Sequence, residues 1–123
     1  MHKKRRKTLL VADDDKLFAE YLAALCSAAG HEVVAIETGG GLAVLHSYRR
    51  HQPDCVLLDV MMPRFNGFTI AQHLRSSVPD ARIIFMSGLV ASDYPSVRQC
   101  RPDGWLSKPI TFDALQEIGR AHV

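Results

Sequence analysis

Three aspartates, a serine and a lysine stand where the apolar runs of this chain give out. Asp13 and Asp14 follow Thr8-Leu9-Leu10-Val11-Ala12, and Asp59 follows Cys55-Val56-Leu57-Leu58. Ser87 follows Ile83-Ile84-Phe85-Met86, and Lys108 comes two residues after Leu106. Carboxylates brought together repel: at 4 Å and an effective dielectric of about 20, each like-charged pair costs roughly 4 kcal/mol. A hard divalent cation with oxygen ligands offsets that cost, and Mg²⁺ typically binds through a few carboxylates and waters. An ammonium and a hydroxyl beside such a metal complete what phosphoryl transfer needs, which is mainly positioning and neutralisation of spread negative charge. Taken singly, each residue has a plainer use: Asp13 or Asp14 as a helix cap, Asp59 as a strand end. Together they point to a metal-assisted phosphoryl site, provided that the runs preceding them are neighbouring strands.

The rest of the pattern supports that condition. Five strand-length apolar runs recur at 8–12, 33–36, 55–58, 83–86 and, more weakly, 104–106. The first four are apolar nearly throughout, as parallel strands covered on both faces are. Helical spacing fills the intervals. Phe18, Tyr21, Leu22, Leu25 and Ala29 mark one face of a first helix, with Asp15 as N-cap and Gly30 as the residue that stops it. Leu42 and Leu45 open a second helix that runs toward Arg50 before Pro53, and Gly67, Ile70, Ala71 and Leu74 mark a third. Phe112, Leu115 and Ile118 mark the last, capped by Thr111. Pro95 and Pro102 confine the fourth to a short helix over about 95–100 or an irregular stretch. Strand and helix thus alternate five times, which predicts a doubly wound α/β sheet with helices on both faces and its site at the C-terminal strand ends.

The 123 residues fit one domain, 47% hydrophobic and 23% charged, which is ordinary globular composition. A net charge of +2 is too small to argue for nucleic acid or an anionic membrane. Lys3, Lys4, Arg5, Arg6 and Lys7 supply more than that excess, so residues 1–7 read as a basic leader and 8–123 as a single domain. The run after the leader is too short for a signal peptide, and no segment approaches the roughly 20 apolar residues of a membrane span. Cys26, Cys55 and Cys100 are odd in number and widely spaced, which favours free thiols in a reducing cytoplasm. The six histidines show no metal-binding spacing, and Gly39-Gly40-Gly41 lacks a phosphate-loop pattern and reads as a turn into the second helix.

At this point the chain resembles a family. Leu9 to Asp15, Pro53 to Gly67, Ile83 to Gly88 and Trp105 to Pro109 are similar, in order and spacing, to the four motifs of bacterial response-regulator receiver domains. The resemblance runs from Thr8 to about Arg120. It implies a flavodoxin-like (βα)5 sheet in the order 2-1-3-4-5 and a phosphorylation-dependent switch rather than a turnover enzyme. Asp59 would accept a phosphoryl group from a phosphohistidine on a sensor histidine kinase or a histidine phosphotransfer protein. Asp14 and Asp59 would hold Mg²⁺ (or Mn²⁺) directly, Asp13 largely through water, and the Met61 carbonyl would add a ligand. Ser87 and Lys108 would contact the phosphoryl group with the Gly88 amide nearby, Lys108-Pro109 would be a cis peptide, and Ser87 and Trp105 would form the switch. A homodimer formed on phosphorylation is one output that the resemblance allows; direct contact with nucleic acid or membrane is not expected.

Two departures qualify the likeness. Asn66 takes a place often held by Asp, with little consequence because both favour the turn before Gly67. The proline-interrupted 92–102 segment puts in doubt the face that the family often uses for dimers or output. Met61 and Leu89, two residues beyond Asp59 and Ser87, take positions that in the family tune water access to the phosphoryl group; both are apolar, so the resemblance implies slow loss of phosphate. Two other readings stay open. Asp13-x-Asp15 superficially fits an aspartyl-nucleophile phosphatase of the haloacid-dehalogenase group, although Leu17 departs from it. A receiver-like binding domain that is never phosphorylated is the other.

Overall fold

The computed structural model describes residues 7–62, 65–89 and 97–121. Lys3 to Arg6 of the basic run, together with Ser92 and Pro95, lie outside the described residues. In chain order the elements are β1 (Thr8–Ala12), α1 (Lys16–Ala28), β2 (Glu32–Glu37), α2 (Gly41–His51), β3 (Cys55–Asp59), β4 (Met61–Met62), β5 (Phe65–Asn66), α3 (Gly67–Ser77), β6 (Ile83–Ser87), α4 (Val97–Cys100), β7 (Gly104–Ser107) and α5 (Phe112–Ala121). Five strands form one parallel sheet in the order β2-β1-β3-β6-β7, which is the implied 2-1-3-4-5. The antiparallel pair β4–β5, with Met61 opposite Asn66 and Met62 opposite Phe65, was not expected; two residues per strand leave no periodic signal.

The apolar runs are continuous because both faces of the sheet are covered, and the period of two sends alternate residues to opposite cores. Leu10, Ala12, Val56, Leu58, Ile83 and Phe85 pack on one side against α2, α3 and Cys100 of α4. Leu9, Val11, Cys55, Leu57, Ile84 and Met86 pack on the other against Leu22 and Cys26 of α1 and Leu115 and Ile118 of α5. Among the described residues, no helix is long and apolar enough to cross a membrane.

The helices begin and end for local reasons. Asp15 caps α1 by accepting from the Phe18 N–H at 3.1 Å. Gly30 closes it at φ 93°, with Gly30 N–H donating to Ser27 O and His31 N–H to Cys26 O, both at 3.0 Å, a Schellman stop. Tyr21 corrects the expected face: it is 57% exposed, and Ala19 and Cys26 flank Leu22 in the core instead. Small side chains there let α1 lie close to the sheet, and the larger Tyr21 rests at the rim, its ring 6.4 Å from Phe18. Leu42 is likewise exposed, while Val44 and Ser47 are the buried positions of α2. Gly40, at φ 139°, makes the turn into α2, as the glycine triplet predicted. Thr111 caps α5, its Oγ1 accepting from Ala114 N–H at 3.1 Å, and the Lys108-Pro109 peptide is cis.

The short fourth helix is present as α4, and a residue outside it anchors its end. Arg75 of α3 donates to Cys100 O at 3.0 Å and Arg101 O at 2.8 Å, which satisfies carbonyls at the helix terminus. The same guanidinium reaches Ala81 O at 2.9 Å and Asp103 Oδ2 at 3.0 Å, tying α3, the entry to β6 and the entry to β7 together. Asp103 Oδ2 also accepts from Ile83 N–H at 2.7 Å.

Gly67 opens α3 against the chain leaving β3. A Cβ there would lie 2.3 Å from the Asp59 carbonyl oxygen and 2.9 Å from Val60 Cα, with backbone on the receiving side. Gly67→Ala therefore lowers stability by about 2 kcal/mol, seen as a lower urea midpoint at unchanged slope. All three cysteines are buried and free. Burial pushes the Cys26 thiol up to about 12 and the Cys55 thiol to about 11. In native protein at pH 8 none of the three reacts quickly with a disulfide reagent, and all three react once urea unfolds the chain. The unfolded thiols ionise near 9.0 while the folded ones stay protonated, so the native state loses stability as pH rises from about 9 toward the folded values.

Candidate functional site

The register of the sheet brings the chemistry to one edge. Ala12 lies beside Leu58, Asp59 beside Met86 and Ser87 beside Ser107, so the residues that end or follow these strands emerge together. Backbone bonds keep the strand ends in step: Asp13 N–H to Glu37 O at 3.1 Å, Val60 N–H to Met86 O at 3.2 Å, and Lys108 N–H to Ser87 O at 2.7 Å.

Asp13, Asp14 and Asp59 each contribute an oxygen to a cluster whose members all lie within 4.8 Å of one another. Asp13 is fully buried, Asp59 nearly so, and Asp14 half-buried. Both Asp13 oxygens are engaged: Oδ1 accepts from the Asp15 N–H at 2.9 Å, and Oδ2 from Lys108 Nζ at 3.1 Å. Lys108 Nζ also donates to Asp59 Oδ2 at 3.2 Å, so one ammonium bridges the ends of β1 and β3. Burial opposes the charge on Lys108, but the Asp59 carboxylate and the hydrogen bond and charge of Asp13 outweigh it and hold its pKa above the ordinary lysine value. Three carboxylates against one ammonium still leave the cluster formally two charges negative. Convergent oxygens and an unbalanced double charge fit a hard divalent cation, not a soft or nitrogen-seeking one.

The other expected residues lie around this cluster in different ways. Ser87 is buried at the end of β6, its Oγ accepting from Leu89 N–H at 3.0 Å. Gly88 is exposed just beyond it, and Met61 opens β4 two residues after Asp59. Trp105 does not face the acid cluster. Its half-buried ring meets the edge of Phe85 at 6.0 Å, and Phe85 in turn meets Phe68 at 5.0 Å, an aromatic row on the α3 side of the sheet. Asn66 does more than turn the chain: its Oδ1 caps α3 by accepting from Phe68 N–H at 2.7 Å. An open cavity of about 290 Å³ between α2 and α3, lined by Leu45, Ile70 and His73, includes none of the acid-cluster residues.

Sequence reading missed Phe18 as part of the site. The spacing assigned it to the core stripe of α1, yet Lys108 Nζ stands 4.3 Å from the centroid of its ring. The available signal was position: Phe18 is the third residue after the cap Asp15, and the first turn of α1 opens beside the strand end that carries Asp13.

Comparison with known proteins agrees with this fold. The family model for the response regulator receiver domain matches residues 9–120. The response regulator MprA of Mycobacterium sp. (strain KMS) is 34% identical over 117 residues, 92% of this chain and 49% of that protein. The chain thus spans about half the length of the MprA relatives. It covers 96% of the polar-differentiation response regulator DivK of Brucella anthropi, at 28% identity over 121 residues. Among solved structures, a LuxR-family two-component response regulator from Aurantimonas sp. SI85-9A1 superposes with a TM-score of 0.84 at 22% identity, over 95% of this chain and 84% of that one. The receiver domain of AraT from Geobacillus stearothermophilus superposes with a TM-score of 0.78 at 26% identity, over 93% and 90%. With its fold, its strand order and a family match along nearly its whole length, this chain belongs to the receiver domains of two-component response regulators.

Proposed function

We propose that this receiver is a phosphorylation switch in which Asp59 is the acceptor. The observation that carries the reading is the Lys108 ammonium bridging Asp13 and Asp59 within a three-carboxylate cluster at the strand ends. An Asp59 carboxylate oxygen attacks the phosphorus of a phosphohistidine on a sensor kinase or phosphotransfer protein. The O–P bond of an acyl phosphate forms as the N–P bond breaks, and the electron pair returns to the imidazole nitrogen. Asp14 and Asp59 would hold Mg²⁺ or Mn²⁺ with the Met61 carbonyl, and Asp13, whose oxygens are both engaged, would act through water. The metal supplies charge neutralisation at the phosphoryl oxygens. Lys108 pairs with one phosphoryl oxygen as a point charge, and Ser87 and the Gly88 amide take another. The product is a changed surface, transmitted through Ser87 and the aromatic row that ends on Trp105. Turnover of a free substrate has no part in it.

Incubation with a small phosphodonor and Mg²⁺ adds one phosphoryl group to the intact mass, and Asp59→Asn abolishes the addition. No added mass on the unaltered chain sinks the switch and favours a domain that acts by contacts alone. Continuous hydrolysis of phosphate esters that requires Asp13 favours a phosphatase.

Lys108 and the metal draw on the same negative charge. Lys108→Met removes the competing cation, so Mg²⁺ binds about tenfold more tightly by calorimetry while the rate of phosphorylation falls. Weaker Mg²⁺ binding in that variant would show that Lys108 shapes the site instead of competing for it.

A further inference from the structure

Lys108 has a third electron-rich partner besides its two carboxylates. Its ammonium stands 4.3 Å from the Phe18 ring centroid while donating to Asp13 and Asp59 at 3.1 and 3.2 Å. A four-carbon stem leaves an ammonium several rotamers to explore, and two oxygens on one side do not by themselves choose among them. A ring face on α1 adds a direction, because its quadrupole attracts the cation along the ring normal. The ring is itself held. The Phe18 N–H donates to the Asp15 cap, and the Asp15 N–H donates to Asp13 Oδ1, so the backbone that presents the ring is bonded to the same aspartate that holds the lysine. Phe18 is half-buried and Lys108 only partly exposed, so water screens the contact incompletely.

We propose that Phe18 is a positioning residue for Lys108: its ring face fixes the ammonium over the Asp13–Asp59 pair, where it meets a phosphoryl group arriving on Asp59. The inference rests on the reading of Asp59 as acceptor, but the placement of the ammonium has a readout of its own.

Fluorinated phenylalanines at position 18 weaken the ring quadrupole in steps while nearly keeping its shape. Across one, two, three and five fluorines, the rate of phosphorylation from a small phosphodonor falls in order, to about fivefold below the unmodified protein. Phe18→Leu falls by a similar factor, and Phe18→Tyr stays within about twofold. Without any phosphodonor, the Lys108 side-chain protons show an upfield ring-current shift in NMR spectra, which Phe18→Leu removes and Phe18→Tyr keeps. A flat fluorination series with a slow Phe18→Leu would mean that the ring only packs, and overturns the proposal. Absence of the ring-current shift in the unmodified protein overturns it as well. If the unmodified protein shows the shift but accepts no phosphoryl group, the reading of Asp59 fails and the catalytic role of the ring fails with it, while the cation–ring contact stands.

Discussion

Three carboxylates held within 4.8 Å of each other are a standing electrostatic cost, and the architecture at this end of the sheet is arranged around it. Placing Asp13 and Asp59 on adjacent parallel strands, both nearly out of water, raises the free energy of the native state unless opposite charge sits between them. Lys108 supplies part of that charge from beyond the end of β7, with two strands lying between β7 and the β1 that leads to Asp13. The remaining imbalance fits a divalent cation and, under the proposed function, a phosphoryl group after it, each of which would change the local charge. A site that is electrostatically unsatisfied in the resting state responds to charge, and that is the property a phosphorylation switch needs.

The scaffold must hold these groups still while they repel. Bonds from Asp13, Val60 and Lys108 to the neighbouring strand ends keep the edge in register. Gly67 lets α3 begin against the Asp59 carbonyl, so β3 and the helix after it are packed backbone to backbone. On the α3 side, Phe68, Phe85 and Trp105 form a packed row from the helix to the last strand. Arg75 ties the end of α4 to the same helix. A change of charge at Asp59 thus has solid material on which to act, running toward the strand that carries Lys108.

Much of this was legible in the sequence, for physical reasons that differ from element to element. The strands of a doubly covered sheet must be apolar throughout, so their positions, and the residues at their C-terminal ends, could be read directly. Asp15, Gly30 and Thr111 act within a few residues of themselves, and their capping roles were correct. Tyr21 was misplaced because periodicity specifies a stripe but not how close the helix lies to the sheet. The β4–β5 pair and Arg75 as a tie between elements left no signal at all, and the contact of Phe18 with Lys108 left only a positional one, the first turn of α1 lying beside Asp13.

What the sequence by itself determined is therefore the alternation of strands and helices and the set of residues that can carry phosphoryl chemistry, because both depend on residue type and local spacing. The strand order came from resemblance, since periodicity does not say which strands are neighbours. Only the tertiary structure decided that Asp13, Asp59 and Lys108 share hydrogen bonds, that Asp13 has both oxygens engaged, and that Trp105 joins the core instead of the acid cluster. The two Lys108 bonds join residues 49 and 95 positions apart in the chain, where register and helix placement, not local preference, set the geometry.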